Sequence, residues 1–105
     1  MNIEQLKKIS QQSFDANLQK ANALKKAESD QILVYKNRIF RADAETICFV
    51  RTVSEGRSSF FMLDRNSNPV EITDPTEFLD LLLQTNQSAL NTYHQLYQNI
   101  INRKA

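Results

Sequence analysis

From Leu81 to Asn102 the chain runs for 22 residues without one Asp, Glu, Lys or Arg, although its apolar residues recur at helical spacing. A helix exposed on the surface of a small domain ordinarily carries charge on its wet side. Here that side offers only Gln, Asn, Thr, Ser and one His, so the helix is expected to lie against another surface.

The start of this helix is well marked. Asp74 is placed as N-cap, Pro75 takes the first helical position, and Glu77 follows three residues after the cap. Phe78, Leu79, Leu82, Ala89, Leu90, Tyr93, Leu96, Tyr97 and Ile100 then share a broad face, with Leu83 and Ile101 at its margin. Asn86 projects into the middle of that face. A polar side chain there needs a buried hydrogen-bond partner or a helix break near Gln84 to Ser88, and one continuous or bent helix is the favoured reading.

Residues 3–28 contain no Gly or Pro and are rich in Gln, Lys, Leu and Ala, which favours a second long helix. Its apolar stripe is thin: Ile3, Leu6, Phe14, Leu18, Ala21 and Leu24 line up, but Ser10 and Asn17 interrupt them. Such a helix gains little stability alone and is expected to lean on the C-terminal helix, on a sheet or on a partner.

Between the helices, β-branched and aromatic runs alternate with turn residues, the pattern of strands joined by hairpins. Ile32–Tyr35 and Arg38–Arg41 flank Lys36-Asn37, a two-residue turn in which Asn tolerates positive φ. That turn sets Tyr35 opposite Arg38, Val34 opposite Ile39 and Leu33 opposite Phe40. Thr46–Val53 and Ser58–Leu63 read as a second hairpin turning through Gly56, with Cys48 facing the core. The turn-forming segment Asp64–Pro69 leads to a short last strand, Val70–Ile72. The fold class is therefore α+β, a single α-β-α domain over residues 1–105: an N-terminal helix, an antiparallel β-meander of four to five strands and a long C-terminal helix. Both faces of the strands carry apolar groups, so helices on one side would leave the other in need of cover.

Composition narrows the function classes. With 105 residues, 41% apolar, and a net charge of +1, the chain has room for one core and no strong field toward nucleic acid or anionic lipid. No apolar run approaches a membrane span, no signal-peptide pattern opens the chain, and the lone Cys48 fits a reducing, cytoplasmic setting. Nine Gln and ten Asn without any Trp fit the coding bias of an AT-rich genome such as many phages carry.

Catalytic and ligand-binding patterns are sparse. His94 stands alone beside the apolar stripe, the single Gly excludes a glycine-rich phosphate cradle, and Asp64–Asn68 lacks the glycine and downstream glutamate of a calcium loop. Asp74, Glu77 and Asp80 are explained by the helix dipole. No cofactor, metal site, small-molecule substrate or membrane partner is expected. The function expected is a non-enzymatic protein-interaction or assembly module, a homodimer in its simplest form. Tyr93, His94, Tyr97 and Gln98 are its first candidate contacts, and Phe49, Phe60 and Met62 the alternative on the strands. The rival reading is RNA or single-stranded DNA binding by Arg38, Arg41, Arg51 and Arg57 among the strand aromatics.

Overall fold

The computed structural model describes residues 2–104, without the side chains of residues 9, 10, 12, 103 and 104. In chain order the elements are α1 (Ile3–Asp30), β1 (Ile32–Tyr35), β2 (Arg38–Arg41), α2 (Ala44–Val53), β3 (Phe60–Leu63), β4 (Pro69–Ile72) and α3 (Pro75–Lys104). The class is α+β, with all four strands antiparallel. They form two separate two-stranded sheets, β1-β2 and β3-β4.

The first hairpin has the expected register, Tyr35 opposite Arg38, Val34 opposite Ile39 and Leu33 opposite Phe40. Lys36 and Asn37 both take positive φ, 49° and 64°, the left-handed turn that matches the twist of a tight hairpin. The second hairpin differs from expectation. Residues 46–53 are helical, and β3 pairs with β4, Phe60 opposite Ile72 and Met62 opposite Val70. Local capping outweighs β-propensity in α2: the Asp43 carboxylate accepts the Thr46 backbone N–H at 2.9 Å, and Val50 is buried, with Ile47 and Val53 packed against the core. Three-residue spacing keeps those side chains on one helix face. Cys48, between them, is exposed rather than in the core. Gly56, with φ of 70°, lies in the turn after this helix.

Asp64 fastens the two hairpins together. Its carboxylate accepts the backbone N–H groups of Asn66 and Asn68, each at 2.9 Å, and pairs with Arg38 at 3.4 Å, while the Arg65 N–H reaches the Ile39 carbonyl at 2.7 Å. The Asn68 N–H first, then the Asn66 N–H and Arg38, hold the Asp64 carboxyl below the ordinary carboxylate range against the opposing effect of burial.

Phe78, on the first turns of α3, is the hub of the core. Its ring meets Tyr35 at 5.1 Å and Phe40 at 4.9 Å in tilted and edge-on arrangements, and Val50, Phe60, Ile72 and Leu82 close around the cluster. The α3 cap is as expected, with the Asp74 carboxylate accepting the Glu77 N–H at 3.1 Å. The helix runs unbroken through Asn86, whose buried amide donates to the Ala42 carbonyl at 3.0 Å and accepts from Gln87. α2 and α3 cover the inner sides of both hairpins. The outer residues stay exposed, Val34 at 67% and Phe61 at 69%, together with Ile39 and Leu63.

Beyond this head, α1 and α3 run antiparallel as a stalk. The molecule measures 67 × 23 × 21 Å, and its radius of gyration of 19.5 Å exceeds the roughly 13 Å of a compact chain this long.

Replacing Asn86 by Ala leaves the Ala42 carbonyl without that partner and is expected to cost about 1–3 kcal/mol in urea unfolding at neutral pH. Asp64 makes a pH-dependent contribution. Because its folded-state pKa is depressed, its share of stability is present above about pH 4, the unfolded value, and is lost as pH falls through the lower folded value. Asp64→Asn should therefore lower stability at pH 7 and flatten the acid limb of a plot of stability against pH.

Candidate functional site

On the α1 side, the seam between the stalk helices is built of small residues. Among the described side chains, Ala16, Ala23 and Ala27 are the buried apolar residues of α1, and Ala89 is buried on α3. Alanine lets helix backbones approach closely without loss of side-chain rotamer freedom. Its consequence is a rotation of α1: at 100° per residue the large apolar stripe lies about 120° around the helix from the alanine face. The stripe is thus turned off α3 and exposed, Ile3 at 71%, Phe14 at 63% and Leu18 at 50%, with Leu6, Ala21 and Leu24 alongside.

α3 has a matching second stripe. Leu83, Leu90, His94, Tyr97 and Ile101 recur at intervals of four and seven, or three and four, beside the buried face. Lys20 of α1 stands with its ammonium 5.7 Å from the Tyr97 ring centroid, placing Tyr97 on the flank toward which the α1 stripe turns. The opposite flank is lined by Gln19, Asn22 and Lys26 with Leu96, Asn99 and Ile100. One side of the two-helix stalk therefore carries both exposed apolar stripes and no acidic or basic residue of α3 between Leu81 and Asn102.

The same contact sets the helices in level. With Lys20 beside Tyr97 and the helices antiparallel, the last turn of α3 reaches only to about residue 15 of α1, so roughly the first three turns of α1 project past it. Ile3, Leu6, Lys7, Gln11 and Phe14 line an open apolar groove on that projection.

The expected contact residues divide accordingly. Tyr93 and Tyr97 stack with centroids 6.3 Å apart and planes 17° from parallel, both half-buried, with exposed His94 between them in sequence. Gln98 is exposed one helical step farther round, away from α1. The strand alternative does not assemble: Phe49 is exposed on α2, Phe60 is buried in the core, and Met62 packs partly buried against it. Sequence reasoning identified the α1 stripe as needing cover but did not name it as the site. The signal available was a second face, one-third of a turn away, that carries Ala16, Ala23 and Ala27.

The four arginines are likewise dispersed. Arg38 is paired with Asp64, Arg51 lies on α2, and Arg57 donates to the Val53 carbonyl at 2.9 Å. Arg41 lines a polar cleft with Lys25, Arg65, Glu28 and Asp43. Burial would raise the Asp43 carboxyl, but hydrogen bonds from Thr46 and the charge of Arg41 outweigh it and hold the pKa low. Tyr35 is pushed up by burial and by its hydrogen bond to Glu77. Among the described residues no group of three or more His, Cys, Asp or Glu is arranged to hold a metal ion, and no helix is long and apolar enough to cross a membrane. No family model, curated protein or solved structure matches the chain.

The seam inverts the usual order of mutational sensitivity. Ala23→Leu is expected to destabilise the fold by about 1–3 kcal/mol through overpacking, whereas Leu24→Ser on the exposed face should stay within about 0.5 kcal/mol at dilutions where the chain is monomeric. Thermal melts followed by circular dichroism check both.

Proposed function

We propose that this chain is a non-enzymatic protein-interaction or assembly module, a small accessory protein of the kind phage genomes encode, and that its contact surface is the apolar flank shared by α1 and α3. The observation that carries the reading is the exposed stripe Ile3, Leu6, Phe14, Leu18 and Leu24 on a helix attached to the rest of the chain by alanines. Monomeric proteins rarely leave a contiguous apolar strip of this length in water, and burying each such side chain is worth roughly 1.5–3 kcal/mol. Tyr97 and His94 extend the strip onto α3, where the Gln- and Asn-rich surroundings suit a polar rim.

The nucleic-acid alternative rests on Arg38, Arg41, Arg51 and Arg57 with the aromatics of the hairpins; Arg38 is paired with Asp64, Phe60 is buried, and the four arginines are divided among β2, α2 and the turn after α2. It would require retention of RNA or single-stranded DNA at low salt, falling steeply as salt is added.

Sedimentation velocity from micromolar to millimolar concentration tests the contact reading. Association that is abolished by Leu18→Lys together with Tyr97→Lys, with the helical circular dichroism unchanged, is the expected result. A strict 12.2 kDa monomer at every concentration, combined with no protein retained by the immobilised chain, contradicts it.

A further inference from the structure

We infer that the polar cleft between the end of α1, β2 and the β3–β4 turn binds a small phosphate-bearing anion through Lys25, Arg41 and Arg65; this goes beyond the contact reading and does not depend on it. The three cations belong to three separately formed pieces of the fold, which backbone hydrogen bonds bring together here. The Ala42 N–H donates to the Gln31 carbonyl at 2.8 Å, tying the residue after Arg41 to the residue after α1. The Arg65 N–H donates to the Ile39 carbonyl at 2.7 Å, and Ile39 shares its strand face with Arg41. Lys25 stands on the α1 face that also carries Glu28 and Ser29, three and four residues on. The cleft so formed has a volume of about 780 Å³, room for a small molecule.

Charge and donor geometry select the ligand. Arg38 is paired with Asp64, Lys26 with Asp30, and Arg57 with the Val53 carbonyl, whereas among the described residues the side chains of Lys25, Arg41 and Arg65 make no ion pair and no hydrogen bond. Two carboxylates share the cleft. Asp43 is committed to the α2 cap, where it accepts the Thr46 N–H, and together with Glu28 it offsets two of the three cations, leaving one positive charge in excess for an anion. α1 ends and α2 begins at this point, so the two helix dipoles oppose each other and neither sets the charge of the site. Two guanidinium forks and an ammonium arriving from three elements suit an oxyanion with three or more oxygens, because a planar carboxylate is filled by a single fork. The half-buried Gln31 amide, which makes no side-chain hydrogen bond among the described residues, adds a neutral donor; Ser29 does not, since its hydroxyl donates to the Lys25 carbonyl. Among the described residues Ile32 is the one apolar member of the lining, and no aromatic ring is present to stack a base. The cleft therefore recognises the phosphate group itself rather than an attached nucleoside.

Inorganic phosphate is the probe. Titrated into the isotope-labelled chain at constant ionic strength, with chloride as the balancing anion, it should saturably shift the backbone and Nε–H resonances of Arg41 and Arg65 and leave those of Arg51 in place. Arg41→Gln and Arg65→Gln should each weaken binding at least about 10-fold, whereas Lys26→Gln, next to Lys25 in sequence but paired with Asp30, should not. Glu28→Gln removes an opposing charge and should tighten binding about 3-fold, a gain that no loss of folding can imitate. Shifts that never saturate, that chloride reproduces, or that keep the same affinity in Arg65→Gln overturn the site. Citrate binding as tightly as phosphate overturns the choice of a tetrahedral oxyanion, and an oligothymidylate that takes the same residues more tightly overturns the small anion in favour of a nucleic-acid backbone. Leu18→Lys together with Tyr97→Lys should leave phosphate binding unchanged, so the contact reading and this site fail separately.

Discussion

The alanine seam between α1 and α3 governs the shape of this molecule and what it leaves exposed. Ala16, Ala23 and Ala27 form the α1 side of the seam, where Leu96 and Ile100 of α3 lie beside Ala23. Contact of this kind gains from close backbone approach and from the absence of rotamer entropy to lose, but buries little apolar area per turn. The larger side chains of α1 are consequently left on a neighbouring face. Had Leu or Phe occupied the seam, the same helix would have spent its apolar surface inside its own chain.

The head supplies what the seam lacks. Phe78 gathers Tyr35 and Phe40 from the first hairpin, while Phe60 and Ile72 join from the second and Val50 from α2. Polar ties fix the orientation of these pieces: Asp64 joins hairpin to hairpin, and Asn86 joins α3 to the segment entering α2. These buried polar groups are satisfied, and among the described residues no buried side-chain polar atom lacks a partner. α3 belongs to both parts, with its first turns in the core and its last turns in the stalk. It transmits the order of the head to a helix pair that would be marginal by itself.

Much of the fold was legible in the sequence where local chemistry decides the outcome. Asp74-Pro75 and Glu77 marked the α3 start, Lys36-Asn37 set the register of the first hairpin, and Asn86 called for either a buried hydrogen bond or a helix break, of which the structure has the first. Residues 46–53 were misread because Thr, Ile, Val and Phe favour strands, whereas the Asp43 cap and the three-residue spacing of Ile47, Val50 and Val53 favour a helix packed on one side. Part of the candidate site was also visible. The stripe on α1 was evident, and Tyr93, His94 and Tyr97 stood out as contact candidates on the C-terminal helix, but the face by which α1 docks was not. Hydrophobic periodicity weights large side chains, so it points to the face with most to bury and overlooks an alanine face that approaches closest.

The central claim is that the first turns of α1 have no cover within their own chain and acquire it from another molecule. Amide hydrogen exchange of the wild-type chain, followed residue by residue across a concentration series, addresses this most directly. The account predicts that amides of residues 3–14 exchange rapidly when dilute and become protected as concentration rises, while those of the alanine seam from Ala16 to Ala27 are protected throughout. Protection of residues 3–14 that is already complete at the lowest concentration and does not change would contradict it.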